Sequence, residues 1–346
     1  MRIKWFISDL HACGYVRGEV IAREINRGYP NHTMDCKTVA CLSDMYKTNL
    51  MVFQRHHQEE LLGKMRYAKS MGIKTLYELD DDILQTPEGF TEPYKFYADP
   101  KVRAGILAFM AEADAMTVST MPLAQSVRQY THGKPIFVVE NAQTVDEWQV
   151  PYEEKQAMPA KDTVTLGWMA SGSHTIDVPV VSEVLAMLME KHKNLRIHCI
   201  GLIDAAALGP WAKDYKDRIQ THGWIDISVL PFAMKDFDLG IAPLSDCPFN
   251  QSKSNIKTLQ YWNLGIPCVA SPLAPYNETI TNGEDGFLPQ GNAPEDWYAS
   301  LDMLITDSAM RKEMGTKGRK KLIDRWNIKD NVKNWIRVFD RLVEGV

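Results

Sequence analysis

Phe249-Asn250-Gln251-Ser252-Lys253-Ser254-Asn255-Ile256-Lys257-Thr258-Leu259-Gln260-Tyr261-Trp262-Asn263-Leu264-Gly265-Ile266-Pro267-Cys268-Val269-Ala270-Ser271 reads in order as a loop rich in hydroxyl, amide and ammonium groups, a helix, a Gly-Ile-Pro turn and a short buried strand. A helix N-terminus presents unpaired N–H groups and the positive end of its dipole, and Lys253 and Lys257 add full charges beside it. A diphosphate is the natural guest of such a segment.

Outward from this stretch, short apolar runs alternate with longer amphipathic ones through both halves of the chain, the pattern of parallel sheets with crossover helices. In the first half, strands are expected at 3–8, 36–39, 50–54, 74–79, 115–119 and 136–139, and helices at 16–26, 58–71, 102–112 and 122–130. Residues 146–162, with Pro151, Pro159 and Glu153-Glu154-Lys155, read as a linker. The second half restarts with a strand at 163–168, a helix at 178–191, and strands at 196–200 and 238–242. Trp335, Val338, Phe339 and Leu342 recur at helical spacing and give the segment 331–346 a buried face. A length of 346 residues suits two domains better than one core. The expectation is an α/β protein with two doubly wound domains, 1–145 and 163–325, and a helical segment at 326–346.

Apolar residues make up 45% of the chain and charged residues 24%, the balance of an ordinary soluble protein. No apolar run approaches the roughly 20 residues that span a bilayer. Residues 1–7 are too short and too soon polar for a signal peptide, so a cytoplasmic location without membrane insertion is expected. The six cysteines form no C-x-x-C pair, which argues against a zinc site and a disulfide framework; Cys199 and Cys268 lie in apolar runs and are expected in the core. A net charge of -5 gives no global attraction to nucleic acid or an anionic membrane, though it leaves a local basic groove open.

The quoted stretch resembles the donor-binding segment of the retaining, two-domain (GT-B) glycosyltransferases of the broad group 1, family 4-like type. There an acidic residue, a loop, a helix with a second Glu and a Gly-hydrophobic-Pro-hydrophobic-Val-Ala-Ser turn follow in this order. Pro275-Tyr276-Asn277-Glu278-Thr279-Ile280 and Asn282-Gly283-Glu284-Asp285-Gly286-Phe287-Leu288 continue the likeness. The family's Glu-x7-Glu pair falls here on Ser252 and Gln260, so the positions facing the sugar ring and the ribose hydroxyls carry no charge. The Gln260 amide can still hydrogen-bond a ribose hydroxyl. The resemblance implies two Rossmann-like domains facing across a cleft, the first for an acceptor and the second for a nucleotide-sugar, with a UDP-sugar the expected donor. It also implies a final helix that crosses back to the first domain; a helix capping its own domain fits the sequence equally.

Ligands of doubly wound sheets bind outside the carboxyl ends of the strands, which directs attention to the residues after each strand. After the first strand no G-x-G-x-x-G appears, and the resemblance places His11, Gly14 and Arg17 on the acceptor side. A surface His and a solvated Arg at a helix start fit the same residues. Arg55, within Gln54-Arg55-His56-His57, is an anion or acceptor contact or simply solvated; adjacent histidines point apart, so no shared metal is expected. Asp80-Asp81-Asp82 closes a strand and has the spacing to hold a divalent cation, as in single-domain enzymes with an Asp-x-Asp motif. The preferred roles are Asp80 orienting an acceptor hydroxyl, Asp81 beside the acceptor, and helix capping by the rest.

On the donor side, Gly167-Trp168-Met169-Ala170-Ser171-Gly172-Ser173-His174-Thr175-Ile176-Asp177 resembles the family's glycine-containing turn. Many relatives carry an Arg and a Lys soon afterwards that neutralise the departing diphosphate, and this chain has neither there. Ser171, Gly172, Ser173 and His174 offer N–H, hydroxyl and imidazole donors instead, with Lys253 and Lys257 carrying the charge. The plain alternative is a Gly/Ser turn with a helix-capping Asp177. Ser252, Ser254, Asn255 and Gln260 complete the donor side, while Trp224 borders the base or belongs to the core.

These residues lead to a hexosyl- or pentosyltransferase that moves a sugar from a nucleotide-diphosphate sugar to an acceptor hydroxyl. Catalysis then consists of electrostatic stabilisation of the leaving diphosphate by Lys253, Lys257, the helix N-terminus and the 171–174 turn, with no essential metal and no other cofactor. Retention of configuration follows by resemblance only. The acceptor is a saccharide, a small molecule or modified DNA. The segment Tyr77-Glu78-Leu79-Asp80-Asp81-Asp82 also resembles glycosyltransferases of bacteriophage genomes, some of which decorate hydroxymethylated bases. In that alternative the protein works in a host cytoplasm, and Arg17, Arg23, Arg27, Lys47, Arg55, Lys64 and Arg66 rim the path of a flipped base. The uncharged Ser252 and Gln260 keep a third reading open, a sugar- or nucleotide-binding protein without turnover.

Overall fold

The computed structural model describes residues 1–9, 12–170, 172–202 and 204–345, with all their side chains except those of Ala12, Gly172 and Ser173. The chain forms two compact units. One comprises Met1–Ala142, Ser252–Ser254 and Asn327–Val346; the other comprises Gln143–Gln251 and Asn255–Trp326.

The first unit is built on six parallel strands, β1 (Arg2–Phe6), β2 (Thr33–Lys37), β3 (Leu50–Gln54), β4 (Lys74–Leu79), β5 (Ala115–Val118) and β6 (Ile136–Val138), in the order β2-β1-β3-β4-β5-β6. Central parallel strands are covered on both faces, so β3 is apolar but for Gln54 and β4 is buried from Thr75 to Leu79; both fall where the sequence placed them. One face packs Phe6, Phe53, Tyr77 and Met116 on Leu62, Met65 and Phe109. The other packs Trp5, Val52, Leu76 and Ala115 on Ile21, Ile25, Trp335 and Phe339.

Trp335 and Phe339 belong to the last helix, Ile328–Glu344, which therefore lies in the first unit rather than capping the second. Trp335 meets Trp5 edge-on with ring centroids 5.1 Å apart, and Phe339 meets it at 6.3 Å. Burying a Trp removes about 200 Å² from water, worth roughly 5 kcal/mol, which explains why this helix docks on β1.

The second unit repeats the plan with β7 (Val164–Met169), β8 (Leu195–Ile200), β9 (Ile219–His222), β10 (Leu239–Ala242), β11 (Cys268–Ala270) and β12 (Gly286–Phe287), ordered β12-β11-β10-β7-β8-β9 and all parallel. The α/β expectation of two doubly wound, Rossmann-like sheets is met. The edge strands β9 and β12 and the helices Thr91–Ala98, Pro294–Thr306 and Ser308–Trp326 were not foreseen. Within the stretch read as a linker, Asp146–Trp148 and Gln149–Gln156 are helical, and Trp148 is buried in the second unit. Cys199 and Cys268 are core residues. Among the described residues, no helix is long and apolar enough to cross a membrane.

Candidate active site

In the second unit the chemistry gathers at the carboxyl end of β7. Lys257, in the first turn of the helix Ile256–Asn263, donates its Nζ to the carbonyl of Met169, the last residue of β7, at 2.6 Å. The turn Gly172–Asp177 follows directly. Within it His174 is buried, its Nδ1 2.6 Å from Asp177 Oδ2.

Asp177 precedes the helix Val178–Lys191, yet its side chain makes no capping bond, so the expected capping role does not hold. Its other oxygen, Oδ1, accepts from Ser245 N at 2.7 Å, Ser245 Oγ at 2.9 Å and Asn250 Nδ2 at 2.9 Å. Burial pushes this carboxyl up, but the His174 imidazole and the Ser245 donors outweigh burial and hold it below its usual range. An ionised Asp177 makes His174 Nδ1 the protonated nitrogen, which sets the imidazole tautomer and orientation. These partners lie 68 and 73 residues away in sequence, which is why Ser245 and Asn250 escaped a reading based on local motifs.

The remaining donor-side residues divide. Asn255 donates Nδ2 to Thr279 Oγ1 at 3.0 Å, and Gln260 is buried, both in the second unit. Ser252, Lys253 and Ser254 belong by their contacts to the first unit. Trp224 is 57% exposed and so is not a core residue. Ser171 lies outside the described residues, and Gly172 and Ser173 are described by their backbone alone, in the turn beside His174.

In the first unit a second group forms at the ends of β3 and β4. Arg55 adopts φ 55°, a left-handed conformation uncommon outside glycine. Its Nε is 2.6 Å from Asp80 Oδ1 and its Nη2 2.7 Å from Asp81 Oδ2, so a guanidinium occupies the place that the Asp-x-Asp reading assigned to a cation. Ser119 Oγ also donates to the Asp80 carbonyl at 2.7 Å. The Asp82 carboxylate accepts from Ser126 Oγ. Gly14 is required by crowding: a Cβ there would sit 2.1 Å from the Asp9 carbonyl oxygen. His11 lies outside the described residues.

Arg17 is not a surface contact. It is 1% exposed, donates from Nε to Glu78 Oε1 at 2.8 Å and from Nη1 to Asn141 Oδ1 at 3.1 Å, and lies 4.6 Å from the centre of the Trp335 ring. The basic rim shrinks accordingly. Arg55 is paired with Asp80 and Asp81, Lys64 with Glu60, and Arg66 with Glu59 and Glu112.

Residues 162–307 match the family model described as glycosyl transferases group 1. The matched region holds β7, the His174–Asp177 pair and Lys257. An uncharacterized glycosyltransferase of Methanocaldococcus jannaschii is 32% identical over 85 residues, which is 25% of this chain and 22% of that protein. The chain thus matches about a fifth of the length of this curated relative. Among solved structures, a glycosyltransferase from Rickettsia africae superposes with a TM-score of 0.70 at 13% identity, covering 100% of this chain and 99% of that one. A sucrose-phosphate synthase from Thermosynechococcus elongatus gives 0.69 at 12% identity, with 100% of both chains covered. The Anabaena protein HepE, solved with UDP and glucose, gives 0.68 at 11% identity, with 99% of each chain covered. These likenesses establish the fold, two Rossmann-like domains as in the GT-B neighbours.

Proposed function

We propose that the chain is a glycosyltransferase that moves a sugar from a nucleotide-diphosphate sugar to an acceptor hydroxyl, the second unit holding the donor and the first the acceptor. The placement of Lys257 and the His174–Asp177 pair at the carboxyl end of β7, inside the stretch that matches the group 1 family model, carries this reading. As the bond between the anomeric carbon and the phosphate oxygen breaks, negative charge grows on the leaving diphosphate. Lys257, the His174 imidazole oriented by Asp177, and the N–H groups of the 172–177 turn offset that charge more in the transition state than in the ground state. Lys253 adds a further cation. In the first unit, Asp80 and Asp81, fixed by Arg55, orient the acceptor hydroxyl.

A UDP-sugar is the donor of choice in this reading, supported by the UDP bound in the Anabaena neighbour. In this reading the reaction retains configuration without a covalent intermediate and needs no metal, a proposal that the likeness to group 1 glycosyltransferases supports. A DNA acceptor is not favoured, because Arg17, Arg55, Lys64 and Arg66 are already neutralised by carboxylates. The test is a donor screen by thermal shift and nucleoside diphosphate release, using UDP-, GDP-, ADP- and TDP-sugars with saccharides or hydroxymethylated DNA. Release with a UDP-sugar, accelerated by a saccharide, is the expected result. Binding without release from any donor overturns the enzymatic reading, and acceleration by DNA alone moves the acceptor to nucleic acid.

A further inference from the structure

Ser252–Ser254 stand far along the chain from the rest of the first unit, and two hydrogen bonds hold them there. Thr120, which also caps the helix Met121–Val127 by accepting from Leu123 N, donates its hydroxyl to the Ser252 carbonyl at 2.8 Å. Asn141 donates Nδ2 to Ser254 Oγ at 2.8 Å. The residues on both sides of Lys253 are therefore tied down.

The Asn141 amide cannot turn over. Its Oδ1 accepts from Arg17 Nη1 at 3.1 Å, and Arg17 is itself anchored by Glu78 Oε1 at 2.8 Å and by the Val139 carbonyl. A carboxamide has one accepting and one donating end, so a guanidinium on the first commits the second to donate. The buried ion pair thus dictates which atom Ser254 meets.

We propose that Asn141 is a positioning residue for Lys253: by holding Ser254, with Thr120 holding Ser252, it fixes the peptide from which the Lys253 ammonium extends. This rests on the reading of Lys253 as a counter-charge to the departing diphosphate. A lysine side chain carries about 2 kcal/mol of rotamer entropy, so a backbone fixed in advance leaves less to be ordered when the charge is needed.

Asn141→Leu keeps the approximate shape and removes every hydrogen bond to Ser254, whose hydroxyl could still donate to an Asp, while Arg17 retains Glu78 and the Val139 carbonyl. Ser254→Ala removes the acceptor, while Ser254→Thr restores a hydroxyl. Two readouts separate the inference from the function it rests on: hydrogen exchange of the 252–255 amides by mass spectrometry, and kcat for nucleoside diphosphate release. Asn141→Leu and Ser254→Ala are expected to accelerate exchange and lower kcat by about tenfold each, with donor KM little changed; the double variant should be no worse than either, and Ser254→Thr near normal. Unchanged exchange in Asn141→Leu, or additive effects in the double variant, overturns the inference. A wild-type protein that turns over no donor sinks the glycosyltransferase reading instead, and exchange still decides whether Asn141 holds the segment.

Discussion

Arg17 and Glu78 lie 61 residues apart in sequence and meet at 2.8 Å in an ion pair whose side chains are only 2% and 0% exposed. Arg17 Nη2 and Glu78 Oε2 are buried without a hydrogen-bond partner among the described residues. Removing one member strands the other. Above pH 7, where Glu78 is ionised, Arg17→Ala should destabilise the protein by about 3–5 kcal/mol, read as a lower urea midpoint with an unchanged m-value. A loss under about 1 kcal/mol would mean that Glu78 relaxes to solvent in the variant.

The same pair shapes the response to pH. Burial pushes the Glu78 carboxyl up to about 7, Arg17 opposing and Asp80 adding to the rise, while burial pushes the His56 imidazole down to about 4. Between 4.5 and 7 the folded protein keeps a proton on Glu78 that the unfolded chain releases, so this group makes stability fall as pH rises. Between 4 and 6.5 the unfolded chain binds a proton that His56 refuses, so stability rises with pH. The two slopes oppose each other where the windows overlap. Glu78→Gln should therefore show a lower Tm overall but a steeper climb with pH through that overlap than the wild type. Parallel curves would show that Glu78 does not titrate there.

Lys257 donates to a backbone carbonyl at the end of β7 and sits at a helix start, so its ammonium can be removed without opening the core. Lys257→Ala should lower turnover by more than about tenfold with an unchanged circular dichroism spectrum. Near-normal rates would sink the diphosphate role. Lys253→Ala should act in the same direction.

Asp177 joins the His174 turn to Ser245 and Asn250. Asp177→Asn replaces one accepting oxygen with a donor and removes the charge that favours an imidazolium. Turnover should fall by about tenfold or more, because the imidazole loses the carboxylate that orients it. Near-normal turnover in a folded variant would show that Asp177 serves the fold alone.

Gly14 and Gly28 offer a paired test of close packing. A methyl group at Gly14 meets the Asp9 carbonyl oxygen at 2.1 Å, whereas one at Gly28 meets nothing within 4 Å. Gly14→Ala should cost about 1–3 kcal/mol, and Gly28→Ala should be neutral or stabilising by up to about 1 kcal/mol. Equal melting temperatures would show that the backbone at Asp9 or Gly14 shifts to make room.

Legibility followed the range of the forces involved. β3 was readable because a central parallel strand is covered on both faces, and the consecutive apolar residues Leu50 to Phe53 carry that signature. β9, Ile219–His222, was not, because an edge strand of four residues with Gln220 and His222 exposed carries little pattern. The last helix announced its apolar face through Trp335, Val338 and Phe339, but nothing local named Trp5 as the surface it would cover.

From local chemistry alone, the sequence determined the α/β class, the loop-helix-turn-strand order from Phe249 to Ser271, and the cationic character of that segment. Only the tertiary structure decided what became of the charges. Arg17 was drawn into a buried pair with Glu78, Arg55 was clamped between Asp80 and Asp81, and Asp177 was diverted from capping its helix to holding His174. A side chain's periodicity is written in its neighbours, but the fate of a buried charge depends on partners that the fold brings from tens of residues away, because desolvation must be offset by whichever opposite charge or donor lies within reach.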